Sequence, residues 1–228
     1  MGIILDLIVV GIIALMVFIS AKHGFVRTLI EVVGFVAALF VAFTFSSPIA
    51  TTTYYIIIEP AVVKAIDEAV ADAGNAATET VWAKVPDFIT NNSERFGISQ
   101  EDLAAKITGG EALSDVAVSV SDNIIEPIAV KVLSLAFSTI LIVVLLFVVN
   151  ILAKFLNKLF SFSLVGKLNR TLGGVVGLFK GILFAVVFCM IVSVIVSFTK
   201  NGFLIFTKDA IASSTLFGAI CDLLPFFK

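Results

Sequence analysis

Four ionisable side chains stand in or beside long apolar runs: Asp6, Glu31, Lys131 and Lys180. A charge near the centre of a bilayer costs at least about 2.5–3.5 kcal/mol, so each needs a partner or a task. Lys131 lies close to the start of an apolar run and can snorkel to the surface. Asp6 sits one helical turn into the first run. Glu31 follows Arg27 by four residues, the spacing of an ion pair along one helix face. Lys180 is the deepest case. It falls ten residues after Arg170, about 15 Å into the bilayer if its helix begins at Thr171. If the Gly-rich start of that run lies in the interface, Lys180 is shallow. A Glu31–Lys180 pair is the expected arrangement, with structural pairing as its first reading and a proton or ion relay as its second.

Enzymatic readings find little support. The single His23 sits among basic residues, where membrane topology and lipid headgroups explain it. Cys189 and Cys221 read as small apolar residues. No nucleophile–base pair, zinc-ligand spacing or phosphate-binding loop is present in the sequence, and no cofactor is expected. Asn91-Asn92-Ser93 fits a glycosylation sequon, a short match that arises often by chance.

The elements that carry these residues follow from composition. The chain has 228 residues, 60% hydrophobic and 14% charged, with a mean hydropathy of +1.15. A soluble domain averages nearer 45–50% apolar and about 25% charged, so lipid must be the main solvent here. A spanning helix needs roughly 20 apolar residues. Four runs qualify: Ile3–Ser20, Thr28–Ser47, Ile128–Ile151, and one within Leu172–Thr199 whose uninterrupted core is Gly181–Thr199. Open sheets leave backbone groups unpaired in lipid, so these are helices. The first lacks the basic start and cleavage site of a signal peptide and is expected to be retained. The expected divisions are a first hairpin over 1–47, an acidic outer segment over 48–127, a second hairpin over 128–199 with a basic link at 152–171, and a tail over 200–228.

Lys22 and Arg27 in the first link, and Lys154, Lys158, Lys167 and Arg170 in the second, place both links on the cytoplasmic side and against lipid headgroups. They are too few and too close to the membrane to suggest nucleic acid. The outer segment carries four basic against thirteen acidic residues. It and both termini then face outward. Glu59-Pro60 starts one amphipathic helix through Val62, Val63, Ile66 and Val70, and Ser99-x-x-Asp102 reads as a capping box for another. The alternative is a partly disordered acidic loop. In the tail, Ile211, Leu216, Ile220 and Leu224 suit one face of a short helix lying flat in the outer interface.

Arg27–Gly34 (RTLIEVVG) and Arg170–Gly177 (RTLGGVVG) agree at six of eight positions. This points to two hairpins inserted in the same direction. The alignment places Gly34 with Gly177, Ala38 with Gly181 and Ala42 with Ala185, and Gly173 extends the second stripe by a turn. Small residues at this spacing let helices approach closely in lipid. The second and fourth spans are therefore expected to pack together, or each against a second copy, around a two-fold axis along the membrane normal. The fold class is thus all-α integral membrane, with four spans as two parallel-repeat hairpins and short amphipathic helices outside.

The chain resembles the colicin V production protein (CvpA) family. The resemblance rests on Asp6 in an apolar first helix, on Lys22-His23-Gly24-Phe25-Val26-Arg27, and on the stretch from Leu168-Asn169-Arg170 through Gly173-Gly174 to Lys180-Gly181. It covers the four spans, leaves the long outer segment unexplained, and looks like versions from Gram-positive bacteria. It implies a bacterial inner-membrane protein needed for toxin production or export and for envelope homeostasis. It carries over no catalytic residue.

Two functions are weighed. The first is a non-enzymatic scaffold or accessory factor, homo-oligomeric, whose outer segment meets an extracytoplasmic protein such as a protease or exporter component. Crosslinking from Val81 or Phe96 would seek that partner. The second is a transport or channel subunit, for which the polar residues at mid-depth (Ser138, Thr139, Ser193) are few.

Overall fold

The computed structural model describes residues 2–73, 77–93, 99, 101, 102, 105, 113–159, 166–199 and 202–222. Its helices are α1 (Gly2–His23), α2 (Phe25–Thr53), α3 (Glu59–Ala73), α4 (Ala77–Lys84), α5 (Asp87–Thr90), α6 (Leu113–Val120), α7 (Glu126–Leu159), α8 (Gly166–Phe198), α9 (Lys208–Ala212) and α10 (Thr215–Asp222). Four stretches are long and apolar enough to cross a membrane: Gly2–His23, Phe25–Glu68, Ala117–Leu156 and Lys167–Phe198. The protein is an all-α membrane protein, and no strand occurs among the described residues.

The spans run longer than the apolar runs suggest. The second does not stop before Pro48, which lies inside α2. Pro48 falls 21 residues after Arg27, about 32 Å along the helix and close to the full hydrocarbon thickness. Water at that level can serve the carbonyl that proline leaves without its N–H partner. The chain then passes through a wide π turn, Tyr54–Ile58, directly into α3. A matching π turn, Ser121–Ile125, joins α6 to α7. At 1.5 Å per residue, the 44 residues of Phe25–Glu68 extend about 66 Å, so their outer half must leave the bilayer. The fourth span also begins early. Gly173 and Gly174 lie within one continuous helix, α8, with no break at its start. Lys154 and Lys158 belong to α7, and Lys167 and Arg170 to α8, so the expected basic link shrinks to residues 160–165, outside those described.

The protruding ends carry a helical cap with its own core. Ile66 of α3, Val81 of α4, Ile89 of α5, Val120 of α6, and Ile125 and Ile128 above the third span are buried together. Full burial of such a side chain contributes about 1.5–3 kcal/mol, enough across this set to order an acidic segment. The two π turns lie side by side. Tyr54 donates its hydroxyl to the Ser121 carbonyl at 3.0 Å, and Tyr55 donates to Glu126 Oε1 at 2.9 Å. Phe88 stacks on Phe198 at the top of α8, and Asn92 donates to the Ser197 carbonyl. The sequon asparagine, Asn91, has its amide nitrogen buried in the folded cap. The capping box forms: the Ser99 N–H and hydroxyl both donate to Asp102 Oδ2, and the N–H bond above all holds that carboxyl below its usual range. Val70 and Phe96 have no described side-chain placement.

The tail docks on the bundle instead of lying flat beside it. Ala210, Phe217 and Cys221 are buried with Leu5 and Val9 of α1 and Ala185, Cys189 and Val192 of α8. Ile211 and Ile220 pack against this cluster, but Leu216, expected on the same face, is exposed. Phe217 takes the inward position. Leu224 lies outside the described residues.

Candidate functional site

The spans pair crosswise. Each hairpin contributes one helix to each close pair: α1 lies along α8, and α2 lies along α7, while α1 and α2 hardly touch. Glycine explains the first pair. A Cβ at Gly173 would stand 2.7 Å from the Ser20 carbonyl oxygen, at Gly177 2.5 Å from the Ser20 Cβ, and at Gly181 2.9 Å from the Ile13 Cα. Only a residue without a side chain lets α1 come so near. The other stripe serves the second pair at Gly34, where a Cβ would stand 2.5 Å from Val149 Cγ1, while buried Ala42 lies with Leu135 and Ile142 of α7 and with Val187 and Met190 of α8. Ala38 is buried too, and Ala185 faces α1. The two stripes therefore do not face each other, although Ala42 shares a buried cluster with the fourth span. The second and fourth spans also meet through larger groups: Phe35 and Phe184 pack edge to face at 5.2 Å.

At this crossing lies a buried charge cluster. Lys180 Nζ donates to Glu31 Oε2 at 2.5 Å. Arg27 Nε donates to Glu31 Oε1 at 3.0 Å. His23 Nδ1 stands 3.7 Å from the same oxygen and is a buried atom with no hydrogen-bond partner. Glu31 is 5% exposed and Lys180 8%. A carboxylate this buried persists only when both its oxygens are met, as they are here. His23 was not expected in this cluster. It precedes the chain reversal at Gly24, so helical spacing from Glu31 cannot find it.

The reversal itself is held from another helix. Gly24 has φ 83, and a Cβ there would meet the Asn169 side chain at 2.6 Å. Asn169 Oδ1 accepts from the Phe25 N–H at 2.7 Å, capping α2 from α8. Thr28 donates to the Gly24 and Ser20 carbonyls, tying α2 back to α1. Asp6 plays a similar part at the other end. Its Oδ1 accepts from the Ser214 hydroxyl at 2.5 Å and from the Leu216 and Phe217 N–H groups, and Oδ2 from Thr215 N–H. A carboxylate on the first N–H groups of α10 suits both their hydrogen bonding and the helix dipole. Neither cap was legible from local sequence, because each joins residues more than 140 positions apart.

Beside the charge cluster lies a cavity of about 640 Å³, lined by all four spans and largely apolar. Its polar lining is His23, Glu31, Asn150 and Lys180. Asn150 is a second residue that the sequence reading passed over, although a lone amide in an apolar helix is a usable signal. Of the remaining basic residues, Lys22 rests over the Phe18 ring, and Lys22 and Arg170 flank a small polar hollow beside Gly24 and Asn169. The side chains of Lys154 and Lys167 are exposed, and that of Lys158 is not described. Lys131 is half-buried on α7.

These features define a multi-pass, all-helical membrane protein whose signature residues cap and cross-link its helices. The model of the colicin V production protein family matches residues 5–71 and 103–225, and the chain belongs to that family. No curated protein and no solved structure matches it.

Proposed function

We propose that this chain is a non-enzymatic scaffold or accessory factor of the bacterial cytoplasmic membrane, serving toxin production or export and envelope homeostasis. The observation that carries the reading is the cap. Two of its helices, α3 and α6, continue the second and third spans without a loop, and the Tyr54–Ser121 bond staples the two π turns together. An acidic surface is thereby held rigidly to the spans, as presentation to an extracytoplasmic protein requires. Photo-crosslinking in native membranes tests it from exposed Glu79 and Asp87. Val81, by contrast, is fully buried and would report only on the cap's own core. A discrete foreign partner is expected. Crosslinks to copies of the same chain alone would sink the scaffold reading.

The orientation belongs to this proposal. With the basic residues inside, both termini face outward. A cysteine at exposed Lys208 should then react with an impermeant maleimide on intact spheroplasts, and one at Lys167 should not. The reverse pattern would invert the topology.

Transport is the second reading, favoured by one observation: buried charges border a cavity. Against it, Ser138 and Thr139 donate to the Leu135 carbonyl of their own helix and do not line the cavity. Ion or proton flux in liposomes containing the full chain distinguishes the two readings.

A further inference from the structure

We propose that the cavity between α1 and α7 holds one acyl chain of an anionic phospholipid, with the lipid phosphate met by Lys180. The cavity exists because α1 and α7 are drawn to different partners and barely touch each other. Ile12 and Met16 form one wall, Val143 and Phe147 the other, and Phe35 and Phe184 the floor. An open apolar space of about 640 Å³ in a membrane protein is filled by the solvent around it, and that solvent is lipid tails.

The lining is polarised along its length. Its polar groups gather toward the basic ends of the spans: His23 at the end of α1, Glu31 near the start of α2, Asn150 late in α7, and Lys180, which stands midway along α8 and reaches Glu31 through its long side chain. From Lys180 to Ile191, another lining residue, the wall runs eleven residues, about 16 Å, which is the scale of an acyl chain. A headgroup at one end and a tail at the other match this layout.

Charge selects the headgroup. The Glu31 carboxylate faces two fixed cations, Arg27 and Lys180, leaving one positive charge in excess. Lys180 is more than nine-tenths buried, and Glu31 engages one of its three N–H donors. Desolvated cations with spare donors favour an anion over a zwitterion. The Asn150 amide adds a donor within the same lining.

The test is native mass spectrometry of the full chain released from nanodiscs of equal phosphatidylglycerol and phosphatidylcholine. The wild-type chain should keep one phosphatidylglycerol, preferred about tenfold over phosphatidylcholine, a difference of about 1.4 kcal/mol. Lys180→Gln should abolish that preference and keep a lipid. Val143→Trp, at an exposed position on the cavity wall away from the ion pair, should lose the lipid altogether. Equal retention of both lipids by the wild type would overturn the headgroup assignment. Unchanged retention in Val143→Trp would overturn the site. A lipid-free dimer that Val143→Trp disrupts would give the cavity to a second copy of the chain and overturn the proposal. Should Lys180→Gln fail to fold, the wild-type ratio and Val143→Trp decide both points.

Discussion

Asn169 Oδ1 accepts the Phe25 N–H at 2.7 Å, so the fourth span caps the start of the second. The Cβ that Gly24 lacks would occupy the same space as the Asn169 amide. Two of the family's recognisable segments therefore meet at one point. Replacing Asn169 by Ala should cost about 1 kcal/mol, the usual loss for a helix cap. Asp, which keeps the acceptor, should restore most of it. The unfolding midpoint in a dodecyl sulfate titration, followed by circular dichroism, measures both. If Asn169→Ala unfolds with the wild type, the cap does not stabilise the fold.

Removing Glu31 should be far more damaging. Glu31→Gln leaves Lys180 and Arg27 facing each other with no carboxylate between them. Breaking a buried pair in this way costs about 3–5 kcal/mol. The double variant Glu31→Gln/Lys180→Met removes the stranded charge and should recover much of that loss. A full double-mutant cycle by the same titration gives the coupling, and additive single effects would rule it out.

The glycine stripe offers an internal control. Gly177→Ala forces a methyl into Ser20 and should cost about 1–3 kcal/mol by overpacking. Gly174, three residues away, has its nearest neighbour, Ala21 Cβ, at 3.6 Å. Gly174→Ala should be neutral or should gain up to about 1 kcal/mol from helix propensity. Equal effects at both positions would mean that α1 and α8 are not held by this stripe.

Asp6 should govern the tail. With Asp6→Ala, α10 loses the acceptor for three N–H groups and one hydroxyl. Cys221, buried behind it, then becomes accessible. In a Cys189→Ser background, maleimide labelling of Cys221 should be about tenfold faster with Asp6→Ala, matching a loss of about 1.4 kcal/mol in docking. Unchanged labelling would show that the apolar contacts of Phe217 hold the tail alone.

The sequence by itself determined that four helices cross a membrane, because no other structure satisfies the backbone of such apolar runs in lipid. It also singled out Glu31 and Lys180, because a charge deep in a span must find an opposite one. The small-residue stripes were equally visible, but their meaning was not. A stripe says which face of a helix can be approached closely and is silent on which helix approaches. Only the tertiary structure assigned Gly173, Gly177 and Gly181 to α1, Gly34 to α7, and Ala42 to a core shared by α7 and α8. The roles of His23, Asn169 and Asp6 were hidden for a related reason. Each acts across a chain reversal or from one end of the chain to the other, where no periodicity connects cause to partner. The extension of the spans past Pro48 and into the cap was likewise settled by packing. Local rules end a helix at proline, but the shared core of Ile66, Ile89 and Ile125 repays its continuation beyond the bilayer.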